Sequence, residues 1–439
     1  MTADGADDYV PGHGDLSYDV GHYDLDLSYH PETNHLEGVA TLTVTAREPV
    51  DELVLDLHAL SVDKVSVGGA RVRHSHKRDR LRLRLEETLA DGESLDVRVT
   101  YSGTPRPVRV GDLGSTGWEE LSDGVIVAGQ PHGAPSWFPC NDRASSKASY
   151  RVAVTAPSAY RVVGNGTLVE RQQRSSTTRW VHEQQQPMAP YLATVQIGRY
   201  DWLATDERPV PVAAAVPEKL TKRYDLAFGR QGEMLAYFGR VFGDYPFDRY
   251  TVVVTEDDLE IPLESQGLST FGANHLDDDW DCVRLVAHEL SHQWFGNSLT
   301  VGAWRDIWLH EGFACYAEWL WSEESGHAST QEQAEHHWGK LADQDQDLLL
   351  ADPGPELMFD DRVYKRGALL LHALRLTIGE DAFFPMLRAW AGDHAYGTVS
   401  TEMFIGCAAT HADVDLGPLF TSWLREETLP ELPSPSPKA

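Results

Sequence analysis

Residues 286–297 read Val-Ala-His-Glu-Leu-Ser-His-Gln-Trp-Phe-Gly-Asn. His288 and His292 are four apart, and on an α-helix that spacing puts both side chains on one face, one turn apart. Two imidazoles so placed can share one zinc ion. Glu289 stands between them, where it can act on a water activated by that zinc. A catalytic zinc takes three protein ligands and keeps a fourth position open. The segment Trp-Leu-His-Glu-Gly-Phe-Ala-Cys-Tyr-Ala-Glu-Trp supplies the third as Glu311, nineteen positions after His292. With 19 histidines in the chain, random order would give only about 0.06 such His-Glu-x-x-His matches, and about 0.005 with the added Glu. The four residues are therefore read as one set, and one zinc ion is the expected cofactor. Glu318, seven residues after Glu311, shares its helical face. It is either a hydrogen-bond acceptor for the outer nitrogen of a ligand histidine or a solvated carboxylate. Cys282 and Cys315 are read as small apolar core residues.

The elements that must position this set follow from periodicity. His22–Tyr29, Leu36–Ala46, Leu81–Leu85, Leu95–Tyr101, Ser149–Thr155, Tyr160–Val169, Thr177–His182 and Tyr191–Ile197 alternate apolar and polar residues, which predicts an antiparallel β domain over residues 1–202. From 203 the texture is helical. Helices are predicted over Leu220–Phe242, Asp281–Phe295, Trp304–Trp321, Thr330–Leu350 and Arg366–Ile378, with a short buried strand at Thr251–Val254. The acidic run Asp277–Asp281 offers an N-cap to the His288 helix, and Gly296-Asn297 a stop. The second domain is expected to span 203–430, and residues 431–439 to form a Pro/Ser-rich tail.

The 439 residues carry 37 Lys and Arg against 68 Asp and Glu, a net charge of −31. Such a chain repels phosphate, so nucleic acid and anionic membranes are excluded as partners. No apolar run is long enough to span a bilayer, and the first residues have neither the basic start nor the apolar stretch of a secretory signal. Cys140, Cys282, Cys315 and Cys407 form no close pair, which points to a reduced, cytoplasmic setting. Arg71–Arg84 holds seven Lys/Arg in fourteen residues but no aromatics, and is read as a solvated hairpin face. Between Arg249 and Arg284 there is no Lys or Arg, while Glu256, Asp257, Asp258, Glu260, Glu264, Asp277, Asp278, Asp279 and Asp281 fall there. An acidic well leading to the metal is the expectation.

The zinc constellation resembles that of the gluzincin aminopeptidases of the aminopeptidase N type. The likeness extends, in the family's order, through Gln130–Val152, Pro187–Tyr200, Phe242–Tyr250, Val363–Arg375 and Leu419–Leu424. It implies an α+β multidomain fold: an N-terminal antiparallel β saddle or sandwich domain, then a thermolysin-like, mainly helical zinc metallopeptidase domain. The form expected from the resemblance is the short bacterial type without a C-terminal helical domain, and its oligomeric state is left open. It also implies hydrolysis of the N-terminal bond of peptides bearing a free N-terminus. By motif match, His288, His292 and Glu311 would bind zinc, and Glu289 would be general base and then proton donor. Tyr364 would donate a hydrogen bond to the oxyanion, Glu264 would anchor the substrate α-amine, and Gln130 would contact it.

The chain departs from the family around the amine anchor. Where the family has Gly-x-Met-Glu-Asn, Ile261, Leu263 and Ser265 stand beside Glu264. Two residues after Gln130 the family has Glu or Gln, and here His132 stands. A cationic His132 at low pH is expected to weaken amine binding. Two other readings remain: a zinc endopeptidase, which would not need Glu264, and a non-catalytic peptide-binding relative. Epoxide hydrolysis occurs in one relative, but nothing here points to a lipid tunnel.

Overall fold

The computed structural model describes residues 7–109, 114–205 and 210–433; from residue 434 on, the expected Pro/Ser-rich tail lies outside them. The chain divides into two compact units. One comprises Met1–Thr205, Ala213–Thr221 and Asp248–Asn274, the other Asp206–Val212, Lys222–Phe247 and His275–Ala439.

The first unit is built on an eight-stranded sheet. Its order is Thr167–Arg174, Thr177–Met188, Ala148–Pro157, Tyr18–His30, His35–Ala46, Ser94–Gly103, Ser61–Val67 and Ala70–Arg71. Period-two alternation does the work predicted of it: Tyr23, Leu25, Leu27 and Tyr29 are buried, as are Leu36, Ala40, Leu42 and Val44 on the next strand. All neighbours whose registers are resolved run antiparallel except Tyr18–His30 with Ala148–Pro157, which are parallel. The predicted single strand Tyr160–Val169 is two, Arg161–Gly164 and Thr167–Arg174, split at Asn165-Gly166, where Gly166 has φ +76°. The basic stretch is a hairpin of Arg73–Lys77 and Arg80–Leu89, and its turn places Arg78 and Asp79 at positive φ.

A five-stranded sheet ordered Asp201–Thr205, Val212–Val216, Tyr250–Val254, Leu268–Phe271 and Leu263–Ser265 belongs almost wholly to this first unit. Val163 of the β domain packs with Ala215, Val253 and Leu268 of that sheet, beside Tyr200. Glu264 lies on its edge strand, opposite Ser269. The segment leaving that strand is tied down by amides. Gln266 donates to the carbonyls of Gln186 and Pro187 (3.2 and 3.3 Å), and Asn165 donates to those of Leu192 and Gln266 (3.0 and 2.9 Å).

The second unit is mainly helical: α1 (Thr221–Phe228), α2 (Gln231–Phe242), α3 (Trp280–Ser291), α4 (Trp308–Glu324), α5 (Thr330–Ala342), α6 (Asp361–Ile378), α7 (Glu380–Asp393), α8 (Thr401–Thr410) and α9 (Gly417–Arg425). The predicted helix Leu220–Phe242 breaks at Gly229-Arg230. The predicted Thr330–Leu350 stops at Ala342, because the following Asp-Gln-Asp-Gln-Asp would set carboxylates against a helix C-terminus. Asp279 caps α3 as anticipated, its side chain accepting from the Cys282 N–H at 2.8 Å.

Helix α4 is buried on every side from Trp308 to Ser322, the mark of a central helix. It crosses α6 at Gly312 and Gly367, so closely that a Cβ on Gly312 would lie 2.8 Å from the Gly367 Cα. Both glycines are helical, and only the missing side chains permit the approach. Arg366, buried next to this crossing, donates to the carbonyls of Leu348, Ser422, Trp423, Glu426 and Glu427. It thereby takes up carbonyls left open at the end of α9. A Gly367→Ala variant is expected to lose about 1–3 kcal/mol by overpacking, read from urea denaturation. Gly339→Ala, on α5 with nothing within 4 Å, should gain up to about 1 kcal/mol from helix propensity. Equal effects at the two positions would show that the crossing is not the constraint.

Candidate active site

Helix α3 presents His288 and Glu289 in its last turn, and His292 follows as its C-cap, still right-handed at φ −57°. Glu311 projects from the first turn of α4. The ligand atoms of His288, His292 and Glu311 all lie within 4.8 Å of one another, and all three residues are buried. A Glu311 oxygen is 3.5 Å from each Nε2. Their other nitrogens are committed. His288 Nδ1 lies 2.7 Å from a Glu318 carboxylate oxygen, and His292 Nδ1 lies 3.0 Å from the Phe295 carbonyl. Both partners are pure acceptors at neutral pH, so each Nδ1 must carry the hydrogen, which leaves both Nε2 atoms turned toward Glu311 as donors to a metal. The set therefore fits a zinc ion. Gly296, at φ +130°, lets the chain turn here; a Cβ would come 3.2 Å from His292 Nδ1.

The electrostatics agree. Burial alone would lower the pKa of His288, but hydrogen bonds to Glu311 and Glu318 lift it to about 9. Burial alone would raise Glu311, yet the two imidazoles drive its carboxyl far below the usual range. Glu318 is likewise held down, to about 2, by Lys365 and His288 against the cost of burial. A cluster that binds a proton this tightly without metal is one that a dication can occupy by displacing it. Glu318, left open between two readings above, is thus buried and bonded to a ligand histidine. Arg284 reaches its other oxygen at 3.4 Å.

Tyr364, on the first turns of α6, stacks its ring on His288 with centroids 6.1 Å apart and planes 17° apart. Cys315 is buried in α4, with the Lys365 ammonium 3.3 Å from its sulfur; Cys282 is also buried. Glu264 and Gln130 belong to the first unit. Glu264 is half-buried on its edge strand, and the Gln130 Nε2 is buried with no hydrogen-bond partner among the described residues. His132 corrects an expectation. It is only 1% exposed, its Nδ1 lies 3.1 Å from Thr116 Oγ1, and its ring stacks on His13. Burial, then the charge of His13, push its pKa down to about 4. Burial thus works against the cation that was expected at low pH. Sequence reasoning also missed Asn165 and Gln266, whose amides tie down the segment leaving the Glu264 strand; nothing in the residues around them marks that role.

A family model described as Peptidase family M1 domain matches residues 226–423, and one described as Peptidase M1 N-terminal domain matches residues 20–192. Endoplasmic reticulum aminopeptidase 1 of Homo sapiens is 26% identical over 418 residues, 87% of this chain and 44% of the relative. The leucyl aminopeptidase of Saccharolobus solfataricus is 22% identical over 447 residues, 94% of this chain and 54% of the relative. The chain thus spans about half the length of these curated relatives. Among solved structures, the M1 zinc metallopeptidase of Deinococcus radiodurans, as a mutant bound to a Tyr-Ser-Ala substrate, has a TM-score of 0.91 at 31% identity, covering 98% of this chain and 99% of that one. A two-domain M1 zinc metallopeptidase bound to L-arginine has a TM-score of 0.90 at 31% identity, with the same coverage.

The contact between Glu318 and His288 makes a prediction about metal rather than turnover. Glu318→Ala should weaken zinc binding by about 10–100-fold, measured by competition with a chelator. Unchanged affinity would return Glu318 to the solvated reading.

Proposed function

Because this chain belongs to peptidase family M1, a family of zinc metallopeptidases, we propose that it is an aminopeptidase releasing N-terminal residues from peptides. The observation that carries this is the convergence of His288, His292 and Glu311 beside a buried Glu289 and a stacked Tyr364. The fit of that set to zinc is chemical as well as spatial, since both histidines have their outer nitrogens occupied by acceptors. When bound there, zinc supplies Lewis acidity, polarising the scissile carbonyl and making water acidic near neutral pH.

The chain's own residues do the rest. Glu289 takes the proton of the attacking water and delivers it to the departing amine nitrogen. The Tyr364 hydroxyl donates a hydrogen bond to the carbonyl oxygen as negative charge grows on it. Glu264 pairs with the substrate ammonium, with the Gln130 amide as a second contact, so that cleavage falls one residue in. His132 takes no part in that pairing by charge. The substrates are peptides with a free N-terminus. In the Deinococcus radiodurans protein the bound species are of this kind, a Tyr-Ser-Ala substrate. All four cysteines are free and three are buried, which suits a reduced, cytoplasmic location. No helix among the described residues is long and apolar enough to cross a membrane.

A fluorogenic leucyl amide tests the reading directly, and its rate should track bound zinc. Glu289→Gln should keep zinc while kcat falls by about 10²–10⁴, and Tyr364→Phe should lower kcat by about 10²–10³. A fully active Glu289→Gln enzyme would remove the general base from this account.

The anchor is tested separately. N-acetylated peptides should resist the wild type, and Glu264→Ala should lose about 10–100-fold in kcat/KM on free peptides, as for a hydrogen bond to a charged group. An enzyme that cuts acetylated and free peptides alike is an endopeptidase.

A further inference from the structure

A pocket of ≈ 230 Å³ lies wholly within the first unit, and none of its lining residues has a part in the chemistry described so far. It is lined from two sheet edges. Leu168 belongs to Thr167–Arg174, the edge strand of the eight-stranded sheet, and Trp202 to Asp201–Thr205, the edge strand of the five-stranded one. The chain carries a net charge of −31, yet two arginines, Arg161 and Arg249, and no carboxylate line this pocket.

Arg161 is held by its faces. Its guanidinium carbon lies over the rings of Trp180 and Trp202, 5.4 and 5.1 Å from their centroids, and its Nε donates to the Tyr200 carbonyl at 3.4 Å. Its two terminal nitrogens make no hydrogen bond or ion pair among the described residues. A guanidinium fixed in this way keeps the fork that suits a carboxylate or a phosphate. Nothing nearby neutralises it. Arg171 lies over the same Trp180 ring at 4.7 Å, and after burial its like charge lowers the pKa of Arg161. Asp201 opposes this, but it is exposed and forms no ion pair with Arg161 among the described residues.

A second polar group waits in the same wall. His182 is 6% exposed, and its ring makes no hydrogen bond among the described residues. Burial, then the charge of Arg249, push its pKa down to about 4, so at neutral pH it is an uncharged ring with one donor and one acceptor. A buried polar ring costs free energy unless a partner meets it from the pocket side. Leu168 and Trp202, 37% and 38% exposed, add an apolar flank. The volume equals that of about seven water molecules, which admits a small group rather than a length of peptide.

We propose that this pocket is a binding site for a small oxyanion borne on a flat apolar body. The Arg161 fork grips the anion, Arg249 adds positive charge, His182 donates to it, and Trp202 and Leu168 cover the body. The site is independent of the aminopeptidase reading. The oxyanion has two possible sources, an aryl phosphate and an aromatic carboxylate.

Calorimetric titration of the zinc-loaded protein with phenyl phosphate and with benzoate, at constant ionic strength, reads the affinity, and the tighter of the two identifies the oxyanion. Arg161→Gln and Arg249→Gln should each raise Kd about tenfold or more, the scale of a hydrogen bond to a charged group. Arg73→Gln, which removes a charge from the exposed hairpin, should leave Kd unchanged. Circular dichroism shows whether Arg161→Gln is folded, and where it is not, Arg249→Gln carries the test. Inorganic phosphate should bind more weakly than phenyl phosphate, and Trp202→Ala should remove most of that difference. If neither aryl anion binds, or if both arginine variants leave Kd unmoved, as they would for an anion held at the metal, the proposal is overturned. Equal affinity for inorganic and phenyl phosphate overturns the apolar body.

Discussion

The contact on which the metal-binding unit depends contains no side chain. At Gly312 and Gly367 the backbones of α4 and α6 approach so closely that any Cβ would collide. Gly312 follows Glu311 directly, and Gly367 follows Tyr364 by three residues. The crossing therefore sets the distance between the helix that carries the third metal ligand and the helix that carries the tyrosine. A loosely packed pair of helices would let Tyr364 drift, and a small error in the placement of a donor costs much of its effect on a developing charge. The nearly complete burial of α4 makes this position rigid, because close-packed interiors have no room to absorb displacement.

Rigidity alone does not explain how such a core tolerates its charges. His288, Glu311 and Glu318 are all buried, with Lys365 nearly so. Taking charges out of water costs several kcal/mol each unless they are paired and hydrogen-bonded. Here each of these side chains has a neighbour of complementary charge, and the pairing radiates outward. Glu311 faces the two imidazoles, His288 faces Glu318, and Glu318 faces Arg284 and Lys365. The excess negative charge at the centre is compensated by a proton in the metal-free chain and by a dication when zinc is bound. Folding and metal binding are in this sense coupled through the same few side chains.

Much of this was legible in the sequence, for reasons that differ from residue to residue. His288, Glu289 and His292 could be read because a helix converts a spacing of four into adjacency. Glu311 could be read because the chemistry demands a third ligand. Glu318 could not be decided, since spacing placed it on the right face but only the fold shows which histidine it meets. The Gly312–Gly367 contact was invisible: the two glycines are 55 positions apart, and each alone looks like a helix weakened by about 1 kcal/mol. The strands were legible where alternation was strict, as in Leu36–Ala46. They blurred at Asn165-Gly166, where a turn interrupts an otherwise continuous pattern. The helices α7, α8 and α9 went unread, and α7 even carries Pro385 in its interior, a residue that argues against a helix on local grounds.

The acidic interval shows where composition stops being a guide to mechanism. Read as a string, nine carboxylates without a single Lys or Arg suggest a well around the metal. In the structure several of them serve local ends. Glu256 pairs with Lys219, Asp257 accepts from Ser122, and Asp279 caps α3. The interval is also divided, Glu256–Glu264 going with the first unit and Asp277–Asp281 with the second. Exposed charges act over about 8 Å at physiological salt, so most of the −31 is felt by the surrounding water rather than by a reacting bond. The charges that matter for chemistry are the few that burial strengthens, and among those the sign is mixed: the Glu311 and Glu318 carboxylates beside the histidines, and the Lys365 ammonium beside Glu318. A net charge describes the coat of this protein, whereas its chemistry is set by a buried exception to it.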